Sequence, residues 1–319
     1  MNYSTYGLKA QQLIQPDGNA SGNMKNDNNI SGSMKNNKPL VAEISWFKSV
    51  ILSITLIFVF AKAYSQETEP YIKTPSGMYV ENYPDTSNLS RYTDDNEVYR
   101  AKNEYYFSYN YMDKNGNAYY FDKPTIETWK FVTKQDVSDT TILVVKLSVL
   151  PDLSTFIKFM PDYDQTIIEY KYIMHDKSVY SKRSSSTGLI ENKMNIWMHP
   201  PRTDLFKILE LNPFPYIQQP YKKGNTWNWE LQIGSAWGDE RWRTWEGTIT
   251  NNYTYKIVEE NAVLATDFGD LKCYKIESSA TSDLGETYLT AYFNGIYGFV
   301  KLEYVNIDKS KIVLHLINF

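Results

Sequence analysis

Five tryptophans fall within nineteen residues of this chain: Trp227, Trp229, Trp237, Trp242 and Trp245. Arg241 and Arg243 are threaded among the last two, and Glu230, Asp239, Glu240 and Glu246 lie around them. An indole face beside a guanidinium suits a sugar ring, a lipid headgroup or an anionic amphiphile, which stacks on the ring and accepts hydrogen bonds from the cation. The nearby carboxylates raise a third chemistry, paired acids cleaving a glycosidic bond. The same aromatic density also fills a thick core. The spacing separates these readings in part. Residues two apart on a strand share a face, so Trp227, Trp229, Leu231 and Ile233 line one side. Gly234–Asp239 then forms a loop with Trp237 near its tip. On a return strand Arg241, Arg243, Trp245, Gly247 and Ile249 share one face, and Trp242, Thr244 and Glu246 the other. A lone guanidinium in a closed core is costly, so Arg243 and Trp245 are expected at the mouth of a concave surface.

A second candidate is His199-Pro200-Pro201-Arg202, followed by Glu210. Two prolines fix φ and remove two backbone donors, which makes a rigid connector. Either it is a strand-to-strand crossover whose Arg202 pairs with Asp204 or Glu210, or it is a rim segment, carrying His199 and Arg202, that closes the open side of the sheet. Other chemistries find little support. His175, His199 and His315 have no metal-ligand spacing. No G-x-S-x-G elbow occurs. No glycine-rich loop precedes a helix. Cys273 is the single cysteine, read as a small buried residue on a strand. No metal, cofactor or catalytic residue is expected.

Export is written near the start. Residues 1–45 are polar, and Val50–Ala61 is an apolar run too short to span a bilayer. Lys35, Lys38 and Lys48 precede it, and Ala63-Tyr64-Ser65 places small residues where a signal peptidase reads. Cleavage is expected before Gln66, with Met24 and Met34 as alternative starts and a retained membrane anchor as the competing reading. No cysteine follows the run, against a lipid anchor. The expected location is periplasmic or extracellular. From Gln66 onward the chain has 254 residues, with 27 Lys and Arg against 34 Asp and Glu. A net charge of about −7 argues against nucleic acid and anionic membranes as partners.

Residues 1–65 are therefore set aside. Residues 66–100, with Pro70, Pro75, Gly77 and Pro84, read as an extended arm. Residues 101–319 read as an antiparallel β domain with a possible boundary near 200. Lys114-Asn115-Gly116-Asn117 is a hairpin turn between aromatic runs. The unbroken apolar run Ile142–Leu150 predicts a central strand buried on both faces. After Thr203-Asp204, Leu205–Leu211 predicts a short helix ended by Asn212-Pro213. Tyr253–Glu259, Leu271–Ser279, Glu286–Phe293, Phe299–Asn306 and Lys311–Ile317 form a meander. A large sheet this aromatic must curl or pack on a second layer. The expected fold is all-β, a large curved antiparallel sheet shaped as an open or half barrel. The alternative is a two-layer sandwich with two sub-domains.

Thr266-Asp267-Phe268-Gly269-Asp270-Leu271, running on through Cys273-Tyr274, resembles a strand-opening stretch of the DUF3108-like proteins, an uncharacterised periplasmic family. Tyr297-Gly298-Phe299-Val300-Lys301 is similar to the stretch that follows there, and Pro220 to Trp227 to an earlier one. The likeness covers roughly residues 213–305. It implies a curved sheet related to the lipoprotein-carrier half-barrels and supplies no catalytic residues. Two functions follow as expectations. One is a non-enzymatic exported binding protein holding an apolar or glycan-like ligand on the aromatic face, with Trp227, Trp229, Trp237, Trp242, Arg243 and Trp245 as its site. The other is a structural or interaction module of the cell envelope whose face is filled by its own side chains. A glycan-active hydrolase ranks behind both.

Overall fold

Inward aromatics alternate with outward polar residues along most of this chain, and such strands can bury one face only by curling together. The computed structural model describes residues 69–319, apart from 126, 155, 161 and 162 and the side chains of 181–183. The expected signal sequence, its cleavage site and the alternative starts lie outside the described residues. Strands β1 (Tyr71–Lys73) and β2 (Tyr79–Glu81) form a small hairpin. The main sheet contains β3 (Glu104–Met112), β4 (Ala118–Asp122), β5 (Lys130–Val132), β6 (Thr141–Val149), β7 (Thr166–Met174), β8 (Val179–Glu191) and β9 (Asn195–Met198). It continues with β10 (Tyr216–Gln218), β11 (Thr226–Gly234), β12 (Thr248–Thr266), β13 (Gly269–Ser282), β14 (Gly285–Asn294), β15 (Gly298–Val305) and β16 (Lys311–Asn318).

The order is β10-β9-β8-β7-β6-β4-β3-β16-β15-β14-β13-β12-β11, with β5 beside β4. Every pairing is antiparallel. The two ends of that path, β10 and β11, are consecutive in the chain and are joined across residues 219–225. The sheet thus curls into a nearly closed barrel with one unsealed seam, between β10 and β11. Strand β3 shows the pattern: Tyr105, Phe107, Tyr109 and Tyr111 point inward and are buried. Strand β6 departs from expectation. Val145, Leu147 and Val149 are buried, but Val144, Lys146 and Ser148 lie half-exposed on the outside. Lys146 decides the matter, because its ammonium pairs with Glu104 at 2.6 Å in solvent reach.

A barrel this wide needs filling, and the chain fills it with its own connector. Residues 199–215 run through the interior and are mostly buried. Within them Asp204–Leu211 is a 3-10 helix after Thr203, where a short helix was expected, and Leu205, Phe206 and Leu209 join the core. Irregular backbone in a core needs partners for its carbonyls. The barrel wall supplies them: Tyr170 Oη donates to His199 O at 2.7 Å and Tyr172 Oη to Thr203 O at 3.1 Å. Asn251 Nδ2 and Thr287 Oγ1 both donate to Leu211 O, at 3.0 and 2.8 Å. Tyr255 Oη donates to Phe214 O, and in the opposite direction the segment's Asn212 Nδ2 donates to Val305 O of β15. Pro200, Pro201, Pro213 and Pro215 have no backbone N–H to satisfy. The region near residue 200 is therefore the middle of one core and not a sub-domain boundary; Tyr71–Phe319 group as one compact unit.

Residues 66–100, expected as an extended arm, are packed as far as the structure describes them. Met78, Val98 and Tyr99 belong to the main core. Glu191 accepts the amides of Glu97, Val98 and Tyr99 at 2.7–2.9 Å. The tip of the β1–β2 hairpin sits in the seam. Gly77 has φ +104, and a Cβ there would fall 2.4 Å from the carbonyl oxygen of Asn228 on β11. On the other side Tyr79 N–H donates to Asn195 Oδ1 of β9 at 2.9 Å.

Candidate functional site

The tryptophan cluster divides in two. On β11, Trp227, Trp229 and Ile233 are buried while Asn228, Glu230 and Gln232 are exposed, as the alternation requires. Trp227 stacks on Tyr255 with ring centroids 5.4 Å apart and planes within 4°. Trp229 stacks on Tyr253 at 4.7 Å, and Trp197 and Phe214 close over it at 5.6 and 5.4 Å. These two indoles line the lumen; Phe214 of the interior segment covers Trp229, and Tyr216 of β10 meets Trp227 edge-on. Trp197, which the sequence reading passed over, lies in the same packing.

The return strand begins later than expected. Residues 235–247 form a loop, and β12 starts at Thr248, so Arg241 to Gly247 do not alternate between two faces of a sheet. The loop folds back on itself through an isolated bridge between Asp239 and Arg243. Asp239 holds Arg241 through two side-chain contacts of 2.8 and 2.6 Å, and the Arg241 guanidinium beside it keeps the carboxyl below its usual range. That guanidinium lies 3.7 Å from the ring centroid of Trp129. Arg202 sits 5.4 Å from the Trp237 ring. Lys207 Nζ donates to Gly238 O at 3.0 Å, and burial pushes the Lys207 ammonium below its usual range. Beneath the loop Trp237, Trp242 and Trp245 pack on Leu211, Ile233 and Ile249. The loop is a cap latched across one end of the barrel.

Beside the cap lies a cleft of about 450 Å³. Arg241, Trp242 and Arg243 form one wall. The turns between β3 and β4, between β13 and β14 and between β15 and β16 supply Asp113, Lys114, Asn115, Leu284, Ile307 and Asp308. Both carboxylates are already engaged within their turns. Asp113 accepts the amides of Asn115 and Asn117, and Asp308 accepts the amide and hydroxyl of Ser310. Arg243 is exposed, and its guanidinium has no partner among the described residues. The cleft therefore offers an indole, an uncommitted guanidinium and a lysine to a ligand with an anionic or hydroxyl-rich group. Of the residues named from sequence, Arg243 and Trp242 reach this cleft. Trp237 and Trp245 belong to the cap, and Trp227 and Trp229 to the lumen wall. Trp129, Lys114 and the turn residues come from distant parts of the chain, and no spacing announces them.

His199 is not on a rim. It is buried between Trp197 and Phe214, with Nδ1 donating to Pro200 O at 2.8 Å and Nε2 3.3 Å from Glu210 Oε1. The contact ties the start of the interior segment to the last turn of its helix. Arg202 is buried as well and stacks on Trp237 instead of pairing with a neighbouring acid. Of the four acids near the cluster, Glu230 lies outside the barrel, Glu240 and Glu246 are exposed and Asp239 is bound to Arg241. Cys273 is buried on β13, and burial pushes its thiol up to about 11, so it stays protonated.

No family model matches the chain, so the resemblance to the DUF3108-like proteins rests on its short motifs. No curated protein matches it either. Three solved structures do. A Bacteroides fragilis protein described as exported, with a YmcC-like fold, aligns with a TM-score of 0.37 and 10% identity, over 69% of this chain and 98% of that one. A protein described as a lipoprotein from Parabacteroides distasonis aligns with a TM-score of 0.37 and 11% identity, over 70% of this chain and 100% of the other. The hypothetical lipoprotein YmcC of Escherichia coli gives 0.28 and 9%, over 70% and 91%. No helix among the described residues is long and apolar enough to cross a membrane.

Proposed function

We propose that this is an exported, non-enzymatic binding protein of the cell envelope, and that its ligand engages the cleft at the capped end instead of the lumen. The observation that carries this reading is Arg243: an exposed guanidinium with no partner among the described residues, held next to Trp242 in a 450 Å³ cleft. That volume lies within the range of small-molecule sites, about 300–1,000 Å³. A sugar or an anionic amphiphile would stack on the indole edge and accept hydrogen bonds from the guanidinium. The lumen supports the competing reading of a barrel filled by its own side chains, because Trp227 already packs on Tyr216 and Tyr255, and Trp229 on Tyr253, Trp197 and Phe214. Export rests on the Val50–Ala61 run and on Ala63-Tyr64-Ser65; amino-terminal sequencing of the processed protein is expected to begin at Gln66.

The test is a titration of intrinsic tryptophan fluorescence with oligosaccharides and with anionic amphiphiles. Arg243→Ala should leave stability within about 0.5 kcal/mol, as for a surface substitution. It should weaken binding, more so at low salt where an exposed charge is least screened. If neither ligand class changes the emission, or if Arg243→Ala unfolds the protein, the binding reading is lost and the self-filled module stands.

A further inference from the structure

The charged groups that line the cleft are not equally free. Asp113 is spent within its turn: Oδ1 accepts the amides of Asn115 and Asn117, and Oδ2 accepts Asn117 Nδ2 at 2.9 Å. The Asn117 side chain, with the turn amides, holds that carboxyl below its usual range. Arg241 is spent on Asp239 and on the Trp129 ring. Among the described residues, Arg243, Lys114 and Asp308 are the charged lining groups that remain open. The Arg243 guanidinium and the Lys114 ammonium have no side-chain partner there, and both are exposed. Asp308 keeps one oxygen: Oδ1 accepts the amide and the hydroxyl of Ser310, at 2.9 and 2.6 Å, and Oδ2 has no partner among the described residues. All three stand on fixed backbone. The amide and the carbonyl of Arg243 are both bonded to Asp239, each at 2.9 Å. The Lys114 turn is closed by Gly116 N–H on Asp113 O at 3.0 Å, and the Asp308 turn by Asn306 N–H on Ser310 O at 2.9 Å. Groups held this way cost little to order when a ligand arrives.

We propose that the ligand of this cleft is a saccharide, and that Asp308 Oδ2 accepts a hydrogen bond from one of its hydroxyls while Arg243 donates to a neighbouring one. This rests on the reading of the cleft as the binding site and decides between the two ligand classes which that reading left open. The open groups are two cationic donors and one anionic acceptor. The head of an anionic amphiphile only accepts, so it can answer Arg243 and Lys114 but sets its charge beside Asp308, and like charges so placed oppose binding. A hydroxyl both donates and accepts. Adjacent hydroxyls on one ring therefore satisfy the acceptor and the donors together. The apolar lining points the same way. An acyl chain is held by the hydrocarbon area it buries. The aliphatic side chains here, Leu284 and Ile307, are already partly buried against Leu211, Ile233 and Ile249 beneath the cap. Half-buried Trp242 is the remaining apolar surface, enough for the C–H face of a sugar ring and too little for an alkyl tail.

Asp308→Asn isolates this claim. Asparagine keeps an Oδ1 to receive Ser310 and supports such turns as aspartate does, so the thermal melt should not move. The open oxygen alone changes, from a charged acceptor to an amide donor. The processed protein is applied to a glycan array, and a retained glycan is then titrated by tryptophan fluorescence, beside an alkyl sulfate. Asp308→Asn should weaken glycan binding roughly tenfold, the loss of one hydrogen bond to a charged group. One deoxy analogue of the same glycan should lose as much on the wild type and nothing further on the variant, because both changes remove one bond. The proposal is overturned if the alkyl sulfate changes the emission while no glycan is retained; the cleft then remains a binding site, for an amphiphile. It is overturned equally if Asp308→Asn binds the glycan as tightly as the wild type, or if every deoxy analogue binds the wild type unchanged, a result that needs no variant to fold. If neither class binds, the reading of the cleft as a binding site falls and takes this proposal with it.

Discussion

Trp229 and Trp242 stand thirteen residues apart and answer to different packing. Trp229 is buried between Tyr253, Trp197 and Phe214, so Trp229→Ala leaves a cavity that those rings cannot close. The expected loss is about 3–5 kcal/mol. Trp242 is half-buried in the cap, and Trp242→Ala should cost less than about 2 kcal/mol. Denaturant melts of the two variants compare them directly; equal losses would contradict this division of the cluster. Electrostatics at the opposite end gives a second expectation. Burial, opposed by hydrogen bonds to its own backbone and Asn192, holds the Glu81 carboxyl above its ordinary range. A carboxyl raised in the folded state binds its proton more tightly there than in the unfolded chain. Its contribution is present at low pH and is lost as pH rises from about 4.3, the ordinary glutamate value, through the folded value. Glu81→Gln should therefore gain stability relative to the wild type as pH rises from mildly acid to neutral. A pH-independent difference between the two would refute that account. The inward set Trp227, Trp229 and Ile233 was legible because a two-residue period needs nothing beyond the strand itself. Arg243 was placed near a ligand for a reason that failed, since it lies on a loop and not on a strand face.

The strands were the most legible elements, and their connectors the least. The carboxy-terminal meander from β12 to β16 follows its turn residues closely, because Gly269, Gly285 and Gly298 occupy backbone conformations with positive φ. The interior segment 199–215 was readable as a rigid crossover with a short helix. That it runs through the barrel was not readable, because the donors to its carbonyls come from β7, β12 and β14. The cap was missed for a related reason: Gly247, with φ +69, ends a long loop whose latches to Trp129 and Lys207 lie far off in sequence. The seam hairpin makes the sharpest test at this scale. At Gly77 any side chain meets both a positive φ and the Asn228 carbonyl, so the β1–β2 tip cannot stay seated. Gly77→Ala should destabilise by more than about 1 kcal/mol, beyond the usual gain from replacing glycine. The amide of Tyr79, now bonded to Asn195 Oδ1, should then exchange its hydrogen faster. Unchanged exchange at Tyr79 would show that the hairpin does not depend on Gly77 for its seat.

At the scale of the whole molecule, the barrel is closed by pieces that come from outside its continuous sheet. Between β10 and β11 there are no ladder hydrogen bonds, so the seam relies on side chains and on the amino-terminal segment. Tyr216 meets Trp227 and Tyr255 across it, and Asn225 Nδ2 donates to Gln218 O at 3.0 Å. The hairpin tip adds Gly77 and Met78. Farther along, Tyr99 is wholly buried, accepts the amide of Phe299 at 2.9 Å and presses on Gly298. Composition favoured a loose arm for residues 66–100, since prolines and polar residues outnumber apolar ones there. The few apolar residues present are the ones that enter the core. Removing residues 66–100 would strip Met78, Val98 and Tyr99 from the core and leave the carboxylate of Glu191 buried without its three amide donors. A buried charge deprived of its partners is strongly destabilising. The chain beginning at Ala101 should therefore melt at a much lower denaturant midpoint, lose cooperativity and bind a dye for exposed apolar surface. Adding residues 66–100 back as a separate peptide should restore part of the midpoint, because the contacts are noncovalent. If the truncated chain instead melts at the full-length midpoint, the segment is a dispensable arm after all, and Tyr216, Trp227, Tyr255 and the Asn225–Gln218 bond suffice to seal the seam.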